Sequence, residues 1–397
     1  MILYCWEFGG GLGHLARFLP VARKLSAQRI EVAWAVRDLA RVHEVFAPGE
    51  FALWQAPTWL HQTHGLPEPA ISYAELLLRG GYLNPGYVEG IVRGWRSLIE
   101  RLSPRVVVAD YAPGAMLAAR GTGARLATIG HGFFTPPSGS PMPSFFPFAQ
   151  GIETRLSEAE ARVLASANAV LHALGEAPLQ RLADLFEVDE QFLTTVAELD
   201  HYRVRGGARY WGVLADSLRR DQDASWPPGD GARVLVYLDG LHPWLRVALD
   251  VIASMELRAL VYAPGLSQLE RERRPAARFS FAAAPLDIAA AAAQCDAALL
   301  SAGHGSVAMV LRAGRPMVLL PGHAEQAVTA RNVFDLGAGI TPADGPPDAG
   351  RLRAALEAVL RNPLPRRRAE AFAARYASQD PEAVSARIAT RLAELAA

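Results

Sequence analysis

Lysine is nearly missing from this sequence. Of its 40 basic residues only Lys24 is a lysine. That excludes whole chemistries: a Walker A loop needs Gly-Lys-Ser/Thr, protein kinases need a strand lysine, and pyridoxal phosphate enzymes need a Schiff-base lysine. The setting of Lys24, Val21-Ala22-Arg23-Lys24-Leu25, reads as a helix surface. Cysteine is scarce as well. Cys5 and Cys295 cannot build a zinc finger or a disulfide framework, and both lie in apolar, strand-like stretches where buried free thiols are expected. An excess of charge is also absent, with 40 basic residues against 40 acidic and a pI near 7.2. No overall electrostatic footprint for nucleic acid or an anionic membrane exists. No run reaches the roughly 18 apolar residues of a membrane helix, since the alanine-rich stretch from Pro285 is cut by Asp287, Gln294 and Asp296. The opening Met1-Ile2-Leu3-Tyr4-Cys5-Trp6-Glu7 has no basic region of the signal-peptide kind. A cytoplasmic protein with no integral membrane segment and no nucleic-acid partner is expected.

What remains is an ordinary globular composition, 51% hydrophobic and 20% charged over 397 residues, enough for two domains. Short apolar runs alternate with longer amphipathic ones, the pattern of parallel strands joined by crossover helices. The class is α/β. Strands are expected at 2–6, 31–36, 51–55, 106–110 and 126–130, with a helix over 15–27 whose Leu15, Phe18, Leu19, Ala22 and Leu25 share a face. After a polar stretch, 216–231, the alternation restarts at 234–238, 257–262, 278–282, 297–300 and 317–320. This gives two doubly wound Rossmann-like domains, 1–215 and 232–380, an interdomain linker at 216–231, and a last helix, 381–397, able to pack back on the first domain. Between Gly132 and Gly151, five phenylalanines interleave with prolines. Such a segment is neither helix nor central strand. It reads as a loop that caps an apolar surface or lines an apolar ligand pocket.

Three clusters carry possible chemistry. Gly9-Gly10-Gly11-Leu12-Gly13-His14 follows the first strand and opens the first helix. Gly11 and Gly13 allow a tight turn and close approach of a ligand, and His14 falls where α/β folds place ligands. It is no dinucleotide fingerprint, because His14 occupies the third glycine position. A tight turn with an incidental histidine is the plain alternative. Asp110 ends a strand of the same sheet, where a carboxylate holding one imidazole nitrogen leaves the other to take a proton. A helix cap or strand-end salt bridge would equally explain it. The second cluster is Ser301-Ala302-Gly303-His304-Gly305-Ser306-Val307. A helix starting near Ser306 would leave the amides of Gly305 to Val307 and the Ser306 hydroxyl bare for a diphosphate. Gly314 and Pro316 close that helix. Third, Glu325-Gln326 stands just past the next strand, a carboxylate beside an amide, suited to sugar hydroxyls or to a surface helix start. Asp221-Gln222-Asp223 resembles the acidic pair of metal-dependent sugar transferases but lies in the polar linker, and His61 with His64 has no nearby carboxylate; no metal site is assigned.

Together these residues resemble the UDP-glycosyltransferase family, including bacterial antibiotic, macrolide and rhamnolipid transferases. Gly13-His14 matches its Gly-His, and 106–110 its strand-end aspartate. The segment 197–202 with 209–212 is similar to the approach to its linker, and 303–307 with 313–316, Pro321, Glu325-Gln326 and 336–339 resembles its donor signature almost end to end. The resemblance implies the glycosyltransferase-B fold, two such domains facing across a cleft. It implies His14 as general base with Asp110 as its partner. It implies Gly303, His304, Gly305, Ser306 and Val307 at the donor diphosphate, Glu325 and Gln326 at the donor sugar, and the 281–286 strand end, with Pro285 and Leu286, at the base. The implied reaction is inverting transfer from a nucleoside-diphosphate sugar (UDP or dTDP) to a small-molecule acceptor, with no metal and no cofactor. Departures are specific. Ser301 stands where the signature usually has a phosphate-contacting histidine. Arg17 replaces a proline, with Pro20 following, which predicts a later start or a kink in the first helix. Asp239 would repel a diphosphate and is expected to turn away or bind sugar. An epimerase or hydrolase of the same fold, or a non-catalytic nucleotide-sugar-binding relative, are the competing readings.

Overall fold

Strands Ile2–Trp6 (β1) and Val32–Val36 (β2) are apolar at every position instead of at alternate ones, and both are buried along their whole length. Runs of that kind cannot face water on either side, so they belong in a parallel sheet covered by helices on both faces. The structure, a computed structural model, describes residues 1–146, 149–202, 205–214, 225–342 and 345–397. The first sheet adds Ala52–Gln55 (β3), Val106–Asp110 (β4), Arg125–Gly130 (β5) and Glu190–Leu193 (β6), in the order β3-β2-β1-β4-β5-β6. All its neighbours pair in parallel. The second sheet holds Arg233–Tyr237 (β7), Arg258–Tyr262 (β8), Phe279–Phe281 (β9), Ala297–Leu300 (β10), Met317–Leu319 (β11) and Gly339–Ile340 (β12). Its order is β12-β11-β10-β7-β8-β9, again parallel throughout. Two Rossmann-like sheets with flanking helices are therefore present.

The chain divides into one unit of Met1–Ser217 with Pro381–Ala397 and another of Leu218–Asp380. In the first, the helix Pro381–Ala396 packs on the helix Gly13–Ala27, with Lys24 Nζ 3.0 Å from Glu382 Oε2. Arg391 Nε reaches Glu190 Oε2 at 2.7 Å. In the second, a core of Val234, Val236, Leu249, Ile252, Leu299 and Val318 fills the space between sheet and helices.

In each sheet the strand order reverses once, between β1 and β4 and between β7 and β10. At such a switch point the crossovers leave on opposite faces and open a crevice at the carboxyl ends of the strands. The β1–β4 register pairs Trp6 with Asp110, so the glycine turn and Asp110 flank the first crevice. Ser301 and Asp239 flank the second.

The local differences from expectation have simple causes. The first helix begins at Gly13 and runs through Pro20; it starts no later despite Arg17, whose Nε donates to the Gly13 carbonyl at 2.9 Å. Strand β6 was not foreseen because Glu190 and Gln191 open it, and β12 because it is two residues long. The aromatic and proline-rich segment starts with a 3-10 turn, Gly132–Phe134, which forms where a helix was not expected because its prolines begin only at Pro136. Its Phe133 and Phe145 stack with ring centroids 4.2 Å apart. Pro147, Phe148 and Asp221-Gln222-Asp223 lie outside the described residues.

Candidate active site

The turn after β1 must carry the chain from a sheet edge into a helix within a few residues. Gly9 and Gly11 take positive φ values of 83° and 77°, which side chains resist. The helix then begins at Gly13, and His14 lies in its first turn, buried. His14 Nδ1 is 2.9 Å from Asp110 Oδ1. The Tyr4 hydroxyl donates to Asp110 Oδ2 at 2.7 Å and also lies 3.0 Å from the His14 carbonyl. Burial works to raise the Asp110 pKa, but the His14 imidazole, Arg17 and the Tyr4 hydroxyl outweigh it, and the carboxyl sits below its ordinary value. Burial and the Asp110 charge push Tyr4 well above its own, so it stays a neutral donor. With Nδ1 beside a carboxylate, Nε2 is the ring nitrogen that faces away from it. It points at the glycine turn: a Cβ on Gly9 would stand 2.8 Å from it.

Aromatic rings close around this pair. The Trp6 indole stacks on the imidazole, centroids 5.2 Å apart and 18° from parallel. Phe134 lies 5.4 Å away on another side, and Tyr111 stacks on Phe134 at 4.2 Å. These rings keep water from the imidazole and fix its orientation. The apolar walls continue through Phe8, which meets the edge of Tyr111 at 5.5 Å and lies against Gly80. Next to Gly80, Gly81 is backed by Trp59, and Trp59, His61, His64, Leu83 and Tyr87 line a cavity of about 430 Å³. Leu60 and Tyr87 beside it are 81% and 56% exposed.

In the second unit, helix His304–Arg312 starts two residues before the expected Ser306. The Val307 amide, expected to be bare, is consequently bound to the Gly303 carbonyl at 3.0 Å, and its side chain is buried. The first-turn amides of Gly305 and Ser306 have no carbonyl within the helix to bind, and no side chain caps this end. Ser306 Oγ turns back to the Gly303 carbonyl at 2.9 Å. Ala302 holds φ +65°, a left-handed conformation that a non-glycine residue adopts at a cost, and such strain collects at ligand sites. The helix closes as expected: Gly314, φ +68°, and Arg315 donate to Leu311 and Val310, a Schellman turn. Gln326 Oε1 accepts from the Gly322 amide at 2.8 Å, which leaves its amide nitrogen for a ligand. Glu325 is half-buried one residue before it. Asp239 Oδ1 accepts from Leu241 N at 2.8 Å and so turns into its own loop. Leu286 is buried and Pro285 half-buried after β9.

The structure thus brings His14 and Asp110 into contact and gathers 301–306 at the other switch point. Sequence reasoning missed Tyr4, Trp6 and Glu7, none of which carries a local signal, while Gly9 stood at the head of the expected glycine turn.

Residues 282–395 match the family model described as erythromycin biosynthesis protein CIII-like, C-terminal domain. Among curated proteins no sequence match is found. Among solved structures, the glycotransferase of kitacinnamycin is 18% identical with a TM-score of 0.71, over 100% of this chain and 99% of that one. Glycosyltransferase VinC in complex with dTDP is 14% identical with a TM-score of 0.69, over 100% and 99%. SnogD from Streptomyces nogalater, also a glycosyltransferase, is 17% identical with a TM-score of 0.68, over 100% and 99%. The chain has the glycosyltransferase-B fold of these enzymes, and its likeness to the UDP-glycosyltransferase family is borne out.

Proposed function

We propose that this protein is an inverting glycosyltransferase that moves a sugar from a nucleoside-diphosphate sugar, UDP or dTDP, to a hydroxyl of an apolar small-molecule acceptor. The observation that carries the reading is the buried His14 Nδ1–Asp110 Oδ1 contact of 2.9 Å directly after a glycine turn. In this reading, His14 Nε2 takes the acceptor's hydroxyl proton while its oxygen attacks the anomeric carbon from the face opposite the diphosphate. The bond from that carbon to the diphosphate oxygen breaks, and configuration inverts. Asp110 stabilises the imidazolium that forms. The amides of Gly305 and Ser306 meet the charge developing on the leaving diphosphate, so the reaction is proposed to run without a metal or cofactor. Glu325 and the Gln326 amide bind sugar hydroxyls. Ser301, Gly303 and His304 shape the diphosphate loop, and Pro285 with Leu286 borders the base. The loss of a cationic donor at Ser301 places more of the work on the helix amides.

Support for an apolar acceptor comes from the walls. Tyr111 and Phe134 beside His14, and the aromatic cavity of Trp59 and Tyr87, offer ring surfaces and few charges. The test begins with thermal stabilisation by UDP, dTDP, GDP, ADP and NAD(H), where a nucleotide at about 100 times its dissociation constant adds about 2.7 kcal/mol. Nucleotide sugars are then offered with hydroxylated aromatic acceptors, and products are read by mass. Transfer should fall by about 10²- to 10⁴-fold in His14→Ala while nucleotide stabilisation persists. Stabilisation by NAD(H) alone, or free sugar formed as fast without acceptor as with it, would overturn the transferase reading.

A further inference from the structure

Glu7, the residue that follows β1, is fully buried, and the base pair does not use its carboxyl. Glu7 Oε2 accepts the amides of Gly114 at 2.8 Å and Ala115 at 3.4 Å. Its main-chain carbonyl accepts Arg37 Nη1 at 3.0 Å and Thr58 Oγ1 at 2.8 Å. The next amide, Phe8, donates to the Tyr111 carbonyl at 3.0 Å. Gly114 has to be glycine for this approach, because a Cβ there would stand 2.8 Å from both carboxyl oxygens. Tyr111 sits at φ +49°, a strained value that persists only when surrounding bonds impose it.

These bonds join two turns. One runs from Glu7 through the glycines to His14, and the other runs from Asp110 to Gly114. Four of the six residues between Glu7 and His14 are glycine, and nothing stands within 4 Å of a Cβ built at Gly10, Gly11 or Gly13, so packing at those positions does not hold it. Its ties to the second turn are the Glu7 carboxyl and the Phe8 amide. We propose that Glu7 is the positioning residue of the His14–Asp110 pair: its side chain clips the turn that carries the base to the strand end that carries its partner. The proposal rests on the reading of His14 as base and adds what fixes the pair's geometry.

The groups facing Glu7 are the Tyr73 and Tyr82 hydroxyls, the Cys5 thiol, the Trp95 indole, the Arg37 guanidinium and the two amides. Among the described residues no ion pair reaches its carboxyl. Burial pushes its pKa up to about 8, with the Gly114, Ala115 and Trp95 donors and Arg37 opposing. Its charge therefore changes in a range where His14 can report it.

The experiment uses the full chain as wild type, Glu7→Gln and Glu7→Ala, with ring nitrogens of histidine labelled and the His14 signal assigned by its loss in His14→Ala. The wild-type His14 ring signal is expected to move near pH 8 as Glu7 loses its proton, and in Glu7→Gln to show no such movement. Glu7→Ala is expected to lower kcat by about 10- to 100-fold with little change in KM, as a small misplacement of a base does. Glu7→Gln, which keeps a carbonyl oxygen for the two amides, should restore most of that loss. A wild-type ring signal that does not respond near pH 8, or Glu7→Gln as impaired in kcat as Glu7→Ala, overturns the proposal. Should Glu7→Ala fail to fold, the titrations of wild type and Glu7→Gln decide. If wild type turns over no sugar, the transferase reading fails, while the ring titration still tests the coupling of Glu7 to His14.

Discussion

The two switch points occupy the same place in two sheets of the same order, yet they are furnished in opposite ways. The first is walled by Trp6, Phe134 and Tyr111 and encloses an imidazole, two carboxyls and a phenol. The second has Ser301, Ala302 and Gly303 before an uncapped helix start on one side, and on the other Asp239, whose carboxyl turns into its own loop. A proton acceptor must be oriented and kept dry, because its strength depends on one hydrogen bond and on the exclusion of water. A site for a diphosphate needs the reverse: small side chains, so that the ligand reaches the main chain, and amides already pointing at it. In the proposed reading one topology serves both, because the crevice is set by strand order and the turn residues decide its chemistry.

The contrast can be broken most forcefully through Glu7. The folded chain keeps a proton on Glu7 that the unfolded chain has released once pH passes about 4.5, and it keeps it until about 8. Folding stability should therefore fall as pH rises through that window, by on the order of a few kcal/mol in total. Urea midpoints of wild type should show the decline, and those of Glu7→Gln should be flatter. No matching group lies in the second turn. Next in size is Ser306→Trp, which fills the mouth of the amide site. It should abolish the stabilisation of about 2.7 kcal/mol that saturating nucleotide provides and leave the response of the His14 ring signal to Glu7 near pH 8 unchanged; a changed response would show that the two turns are not independent.

Gly9→Ala attacks the opposite side. It puts a methyl against His14 Nε2 at φ +83°, for a cost of about 1 to 2 kcal/mol in stability, with transfer lost and nucleotide binding kept. Both are read on one preparation by thermal melts and product formation. The smallest effect is expected of Ala302→Gly, which relieves the left-handed strain at φ +65° and should raise stability by about 1 kcal/mol or less, seen by calorimetry as a shift of a few degrees at most.

The strands were legible because buried parallel strands are apolar throughout, and β1, β4 and β10 begin and end where their apolar runs do. His14 and Asp110 were legible for the same reason, each standing just past or at the end of such a run. Tyr4 was not, since a tyrosine inside an apolar strand reads as core and its acceptor lies 106 positions away. Glu7 looked like an acid near the chain start, and its amide partner is 107 positions on. Bonds between strands that are neighbours only through a crossover leave no local mark. The helix starts at His304, ahead of the expected Ser306, because the small residues that read as a turn already form its first turn, and the Ser306 hydroxyl binds the Gly303 carbonyl from within it.

The return of the last helix to the first unit has a bearing on how such proteins can be recombined. Residues 218–380 are an insertion within the first unit, so exchanging them with a relative requires two joints. A chimera made at a single joint would bring a foreign 381–397 against the helix Gly13–Ala27. There Glu382 meets Lys24 and Arg387 donates to the Trp211 carbonyl at 2.9 Å. Such a hybrid would disturb the helix that carries His14.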